Sequence, residues 1–461
     1  MGILAAYMVP HPPMIVPEVG RGGEKQVPET VRAYRQVAGE IAELRPETIL
    51  LFSPHATMYA DWFHISPGKG AAGDLGAFRA PQVKFSEAYD EELRDRICAA
   101  AKKEGFPAGT AGERDPELDH GTMVPLYFVE QVYRGFRLVR TGLSGLSLSE
   151  HYRFGQMIRR AVEETGRRAV IIASGDLSHK LQKYGPYGFA PEGPQYDRQI
   201  MDVCSRAAFG ELFDFGEFFC ERAAECGHRS FVMMAGALDG TAVEARQLSH
   251  EDVTGVGYGV CIFRPGAADP SRKFLEIRQA RQEKRLTKKR AGCDPWVRLA
   301  WRAVESYVRD RRVAETPDGL PEELLQRRAG AFVSIHKQGQ LRGCIGTIGP
   351  TRSCLAREII ENAVSACSRD PRFDPVRPEE LKWLEISVDV LGEPEDINSE
   401  EDLDVKRYGV IVSNGHRRGL LLPDLEGVDT PDRQVAIARQ KAGIGAAEKV
   451  KLQRFEVVRH H

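Results

Sequence analysis

The sequence predicts a layered α/β domain with a mostly parallel sheet, followed by a smaller α+β domain. Three observations carry this expectation. Over residues 1–265, short β-branched and apolar runs alternate with amphipathic stretches, the pattern of strand–helix units. Over residues 294–461, hairpin signals stand among helical patterns. Between them, residues 266–293 change composition and read as a basic linker.

The elements follow in order. Gly2 to His11 is an apolar strand ending in a histidine. Pro28 to Leu44 is an amphipathic helix, because Val31, Tyr34, Val37, Ile41 and Leu44 recur at helical spacing. Thr48 to His55 is a second histidine-ended strand. Glu87 to Lys103 is a helix stopped at Gly105. Leu118 to Tyr127 is a polar turn opening a helix, and Arg137–Arg140 is a short strand. Ser149 to Thr165 is a helix with Ser149 as its N-cap. Arg167–Ala173 is a buried parallel strand, and Ser174-Gly-Asp-Leu-Ser-His179 follows it. Tyr196 to Phe209 and Glu211 to Ala224 read as helices, and Val256–Phe263 as the closing strand.

In the second domain, Asp294 and Pro295 open a helix that runs to Asp310. Ala331–Lys337 and Leu341–Gly346 flank the turn at Gln338-Gly-Gln340. Cys354–Cys367 is a helix, Trp383–Leu391 a strand, and Tyr408–Val412 with Gly419–Leu422 a hairpin around Asn414-Gly415. Pro431–Ala442 is a helix and Leu452–Val458 a last strand.

Composition excludes several classes. The 461 residues are 42% hydrophobic and 28% charged, with a formal net charge of -2. That balance gives no electrostatic drive toward nucleic acid or an anionic membrane. The basic stretch Arg272–Arg290 reads as a solvated helix, with a nucleic-acid patch as its alternative. No apolar run is long enough to span a bilayer, the start reads as a strand rather than a signal peptide, and Ala6 breaks the myristoylation pattern. The nine cysteines form no CxxC pair, which argues for a reduced cytoplasm and against a structural zinc site.

Chemistry concentrates at the strand ends. His11, His55 and His179 each follow the carboxyl end of a strand, where open α/β sheets bind ligands. Two neutral imidazoles and a carboxylate with open positions make the facial arrangement of non-haem Fe(II). His11 and His55 are the expected imidazole ligands, and the third comes from Glu225 or its neighbour Cys226. A thiolate there would favour copper or zinc as well. Asp176, His120 and His179 would support the ligands or serve as acid/base groups.

Ser53-Pro-His55, Leu118-Asp-His-Gly-Thr-Met-Val-Pro-Leu126 and Gly175-Asp-Leu-Ser-His-Lys180 resemble the LigB-type class III extradiol ring-cleavage dioxygenases and their relatives, the Memo proteins. The resemblance implies His11 and His55 as metal ligands, His179 as catalytic acid/base and His120 as a pocket histidine. It implies Fe(II), a small catechol-like aromatic substrate and O2. The third ligand is Glu in the dioxygenases and Cys in the Memo proteins. Glu225-Cys-Gly-His228 offers both, and Glu225 is favoured.

In the second domain, Leu341-Arg-Gly-Cys-Ile-Gly-Thr347 is the densest motif. Cys344 is a candidate nucleophile or ligand whose pKa Arg342 would lower, beside the alternative of a small buried hydrophobe; His336 and His416 are further candidates. With Asp370-Pro-Arg-Phe-Asp374 and Lys441-Ala-Gly443, the motif closely resembles the AMMECR-type domain. The pairing resembles the AmmeMemoRadiSam system, which implies a radical SAM protein as partner. The alternative to an oxygenase is therefore a metal-binding or regulatory partner of such an enzyme, with no turnover of its own. Homo-oligomerisation stays open.

Overall fold

The structure is a computed structural model that describes residues 2–113, 117–425 and 427–461. The chain divides into two compact units, with the boundary between Arg278 and Gln279. Each has its own core.

The first unit is built on a six-stranded sheet. Its strands are β1 (Ile3–Val9), β2 (Thr48–Phe52), β3 (Arg137–Thr141), β4 (Ala169–Ser174), β5 (Thr241–Glu251) and β6 (Tyr258–Ala268), in the spatial order β3-β2-β4-β1-β6-β5. The four strands from β3 to β1 run parallel; β6 and β5 add antiparallel. Every residue of β2 and β4 is buried, as expected of strands covered on both faces. Alternation assigns each residue to a face. Ala6, Met8, Leu50, Phe52, Ile171 and Ala173 enter one core, whereas Ala5, Tyr7, Ile49, Leu51, Val170 and Ile172 enter the other.

Helices fill both layers: α1 (Pro28–Leu44), α2 (Glu91–Glu104), α3 (His120–Glu130), α4 (Leu148–Thr165), α5 (Glu192–Ser205) and α6 (His228–Ala237). Three boundaries depart from expectation. Residues 87 and 88 end a strand (Ala80–Ala88) paired with Gly70–Leu75, and α2 starts later because the Asp90 side chain accepts from the Leu93 N–H at 3.2 Å. The cap of α4 is Ser147, not Ser149: its hydroxyl accepts from Glu150 N–H while the Glu150 carboxylate accepts from Ser147 N–H at 2.9 Å. Expected helices over 196–209 and 211–224 become α5, a 3-10 turn (Phe209–Asp214) and a short helix (Glu217–Ala223), with the chain broken at Ala207 by a φ of 50°.

The stretch read as a linker is helical, α7 (Phe274–Ala291), with Glu276 in its first turn and Lys288, Lys289 and Arg290 in its last. The unit boundary falls inside it. In the second unit, α8 (Pro295–Asp310) starts on the expected cap, the Asp294 side chain accepting from Val297 N–H. An antiparallel sheet follows: β7 (Ala331–Lys337), β8 (Gln340–Gly346), β9 (Leu384–Leu391), β10 (Glu395–Ile397), β11 (Tyr408–Asn414), β12 (Arg417–Leu421) and β13 (Lys451–His460). Its order is β8-β7-β9-β13-β11-β12, with β10 also on β13. The β7–β8 turn holds Gln338 and Gly339 at φ 55° and 82°, the two positive values a tight hairpin needs. Helices α9 (Leu355–Ser368) and α10 (Pro431–Ala442) belong to the same unit. Among the described residues, no helix is long and apolar enough to cross a membrane.

Candidate metal centre

β2, β4 and β1 are parallel neighbours, so the chain leaves all three at one sheet edge. His11, His55 and the Gly175–His179 turn are therefore brought together from distant sequence positions.

His11 is buried. Its Nδ1 lies 2.9 Å from Ser174 Oγ, and that hydroxyl donates to the Gly121 carbonyl at 2.6 Å. A hydroxyl carries one proton. His11 Nδ1–H must therefore donate to Ser174, which leaves the Nε2 lone pair free. His55 Nε2 lies 2.9 Å from that lone pair, and Cys226 Sγ lies 3.7 Å from it. The ligating atoms of His11, His55 and Cys226 all fall within 4.8 Å of one another. Metal–nitrogen bonds of about 2.0–2.1 Å and metal–sulfur bonds of about 2.3 Å let one ion touch all three.

Electrostatics points the same way. Burial pushes the His11 pKa well below its ordinary value, and the neighbouring imidazoles of His55 and His120 push it further. Burial lowers His55 too, against the pull of the Asp119 and Asp176 carboxylates. His120 is brought down to about 4 by burial and by His55. All three are neutral near neutral pH, the form that binds metal. Burial raises the Cys226 thiol well above its ordinary value, with Asp176 and Glu225 adding to it. A cation is what would bring that sulfur to the thiolate. The donor set fits a transition metal, and a soft one better than the expected all-hard facial triad.

Glu225, the favoured third ligand of the sequence reading, is not in this group. Its Oε2 accepts from the His228 N–H at 2.6 Å, so its carboxylate caps the start of α6. Burial raises its pKa to about 7, partly offset by the His228 N–H. His228 is committed as well, with Nε2 donating to the Leu212 carbonyl at 2.9 Å. The third atom of the group that could hold an ion is the Cys226 sulfur.

Asp176 and His179 border the group. Asp176 Oδ1 accepts from His11 N–H at 2.8 Å, and its Oδ2 lies 3.9 Å from His179 Nε2. Burial raises the Asp176 carboxyl, against the pull of His179. His179 Nδ1–H donates to the Ala224 carbonyl, which leaves Nε2 as an acceptor. The His120 ring sits 4.0 Å from that of His55. Two glycines hold the halves together: a Cβ at Gly175 would fall 2.1 Å from the Cα of Gly227. This close approach lets Asp176 N–H reach Cys226 Sγ at 3.2 Å.

Sequence reasoning missed two supports. Ser174 fixes the His11 tautomer, and its place at a strand end just before Gly175-Asp176 was the available signal. Asp119 caps α3 by accepting from Thr122 N–H at 3.0 Å, accepts from Ser53 Oγ at 2.5 Å, and pairs with buried Arg140 at 3.3 Å. It thereby ties the His120 segment to the His55 segment.

In the second unit, Cys344 Sγ accepts from Ser334 Oγ at 3.2 Å, and Cys344 N–H donates to Asp370 Oδ2 at 2.9 Å. Arg342 does not lower its pKa. That guanidinium is held by both oxygens of Glu380, at 3.1 and 3.0 Å, and burial pushes the Cys344 thiol up. His336 is half-buried and His416 exposed. Among the described residues, neither belongs to a group that could hold an ion.

Comparisons with known proteins agree with this division. Residues 5–261 match the family described as the catalytic LigB subunit of aromatic ring-opening dioxygenase, and residues 297–460 match AMMECR1. A Clostridium acetobutylicum protein is 40% identical over 468 aligned residues, covering 100% of this chain and 99% of its own length. A Thermotoga maritima protein is 52% identical over 171 residues, 37% of this chain and 98% of that protein. Among solved structures, an uncharacterized Pyrococcus horikoshii protein is 33% identical over 36% of this chain and 88% of its own, with a TM-score of 0.34. The chain belongs to the LigB family through its first unit and carries an AMMECR1 domain as its second.

Proposed function

We propose that the first unit binds one redox-capable transition metal through His11, His55 and Cys226 and acts on a phenolic or catechol-like substrate with dioxygen. Iron is the ion the family resemblance favours, copper is the one a thiolate favours, and zinc suits the donors without supplying redox chemistry. The observation that carries this reading is the convergence of three ligating atoms within 4.8 Å at the sheet edge. When bound, the ion supplies orientation of substrate oxygens and stabilisation of their negative charge.

The chain's own groups do the rest. His179 Nε2, on a side chain 18% exposed, accepts the proton of a substrate hydroxyl. Asp176, 3.9 Å away, stabilises the imidazolium that forms. His120, neutral with a pKa of about 4, offers a hydrogen-bonding edge beside His55 without adding charge. The test is metal analysis of anaerobically purified protein, followed by oxygen uptake against a catechol panel. About one iron or copper per chain with substrate-dependent uptake is expected, by the three-donor count. A loaded protein that leaves every catechol unchanged in air sinks the oxygenase reading.

A second reading has its own support. Cys226 replaces a carboxylate in the donor set, and an AMMECR1 domain is attached. Both suit a metal-binding partner of a radical SAM protein. It predicts that the tagged chain retains such a partner and still does so as His179→Ala; a tagged chain that retains none removes it.

A further inference from the structure

Beside His179 the chain makes a closed loop over residues 182–188. An antiparallel bridge between Leu181 and Phe189 ties its ends, and Ala190 N–H donates to the Lys180 carbonyl at 3.1 Å. Inside it, Gly185 N–H donates to Gln182 O at 3.0 Å and Gly188 N–H to Gly185 O at 3.2 Å. From outside, the Gln182 amide donates to the Asp252 carbonyl at 2.9 Å, and a Cβ at Gly185 would lie 3.0 Å from Gly255 Cα. The loop is held in place at its base.

This fixed loop displays aromatic rings. Tyr184 is 83% exposed, Tyr187 61% and Phe189 48%. The Tyr187 ring meets the His179 imidazole edge-on, with centroids 5.1 Å apart and planes at 86°. Its exposure leaves ring surface open beside the His179 imidazole. A second pair of rings borders the ligands: Phe78 packs 5.3 Å from His120, which packs against His55.

We propose that Tyr187 is the specificity-determining residue of the site: it stacks on the ring of the substrate and sets it beside His179, restricting the centre to planar aromatic compounds with adjacent oxygen donors. The inference rests on the reading of the first unit as acting on phenolic substrates. A flat ring lying offset on the open surface of Tyr187 gains aromatic contact. It also brings one hydroxyl next to the His179 imidazole while its donor oxygens face the metal ligands. The Tyr187 hydroxyl takes no part, so phenylalanine serves equally.

The experiment titrates the metal-loaded full-length protein with two chelators, followed by the absorbance of the complex. One is 4-nitrocatechol, planar and aromatic; the other is acetohydroxamate, which chelates through two oxygens without a ring. Tyr187→Ala is expected to raise the Kd for 4-nitrocatechol about three- to tenfold, the range of an aromatic pair. It leaves the acetohydroxamate Kd within about twofold. Tyr187→Phe keeps both wild-type values. Unchanged 4-nitrocatechol binding in Tyr187→Ala overturns the proposal and leaves the phenolic reading standing. Equal weakening of both chelators also overturns it, because Tyr187 then only supports the centre. A wild-type protein that takes acetohydroxamate but refuses 4-nitrocatechol removes the phenolic reading and this proposal together.

Discussion

Two cysteines invite comparison, one in each unit. Cys226 and Cys344 are both half-buried, both near tight glycine contacts, and both have thiols pushed up by burial. Their partners differ. Cys226 faces the unprotonated Nε2 of a buried neutral imidazole, which a second imidazole also meets at 2.9 Å. Cys344 is met by a hydroxyl at its sulfur and has an aspartate holding its N–H. The first setting places a sulfur already met by Asp176 N–H in a group of three ligating atoms that one cation could bridge. The second, among the described residues, joins no such group. A cysteine's neighbours, more than its burial, decide whether it is a ligand.

The sharpest way to break that contrast is substitution at each thiol. Cys226→Ala is expected to lose the metal, by more than the roughly ten- to hundredfold that loss of a supporting group costs. Cys344→Ala is expected to keep wild-type metal content by elemental analysis, and the reverse pattern would refute the assignment. Next comes the tautomer argument: Ser174→Ala frees His11 to turn its protonated nitrogen inward, so metal affinity falls by roughly ten- to hundredfold in a competition titration. Glu225→Ala has a different signature. It removes the carboxylate that caps α6 and costs about 1–2 kcal/mol in denaturant unfolding, with the metal retained.

The smallest effect contrasts the units through their carboxylates. Burial, aided by Glu87, raises Glu130 in the first unit to about 7. Glu130 then holds its proton more tightly folded than unfolded, so the first unit loses stability as pH rises from about 4.5 to about 7. In the second unit, burial of Glu380 is outweighed by hydrogen bonds from Arg342 and Lys337, and its pKa falls to about 2. Its contribution is present above pH 4.5 and lost as pH falls toward 2. Thermal scans across pH check both signs: Glu130→Gln flattens the upper window and Glu380→Gln the lower one.

The sequence carried the parallel strands and the three strand-end histidines, because continuous apolar runs and α/β topology are local signals with a fixed geometric outcome. The choice between Glu225 and Cys226 was not legible. Adjacent residues point different ways only once the start of α6 is placed, and that start claims the carboxylate. Helix starts slipped for a similar reason: Asp90 and Ser147 cap through side-chain bonds that several nearby polar residues could have made. The Tyr187 contact with His179 depends on loop closure at Leu181 and Phe189, which no periodicity announces.

The packing of Gly175 on Gly227 has a consequence for inheritance and for engineering. Even a methyl group at residue 175 would stand 2.1 Å from the opposite backbone, so neither turn tolerates change unless the other retreats. The Asp176–His179 turn and the Cys226 turn are thus one transferable module despite the 50 residues separating Asp176 from Cys226 in the chain. A graft of this centre into another scaffold succeeds only if both turns travel together, and drift in one is silenced unless the other follows.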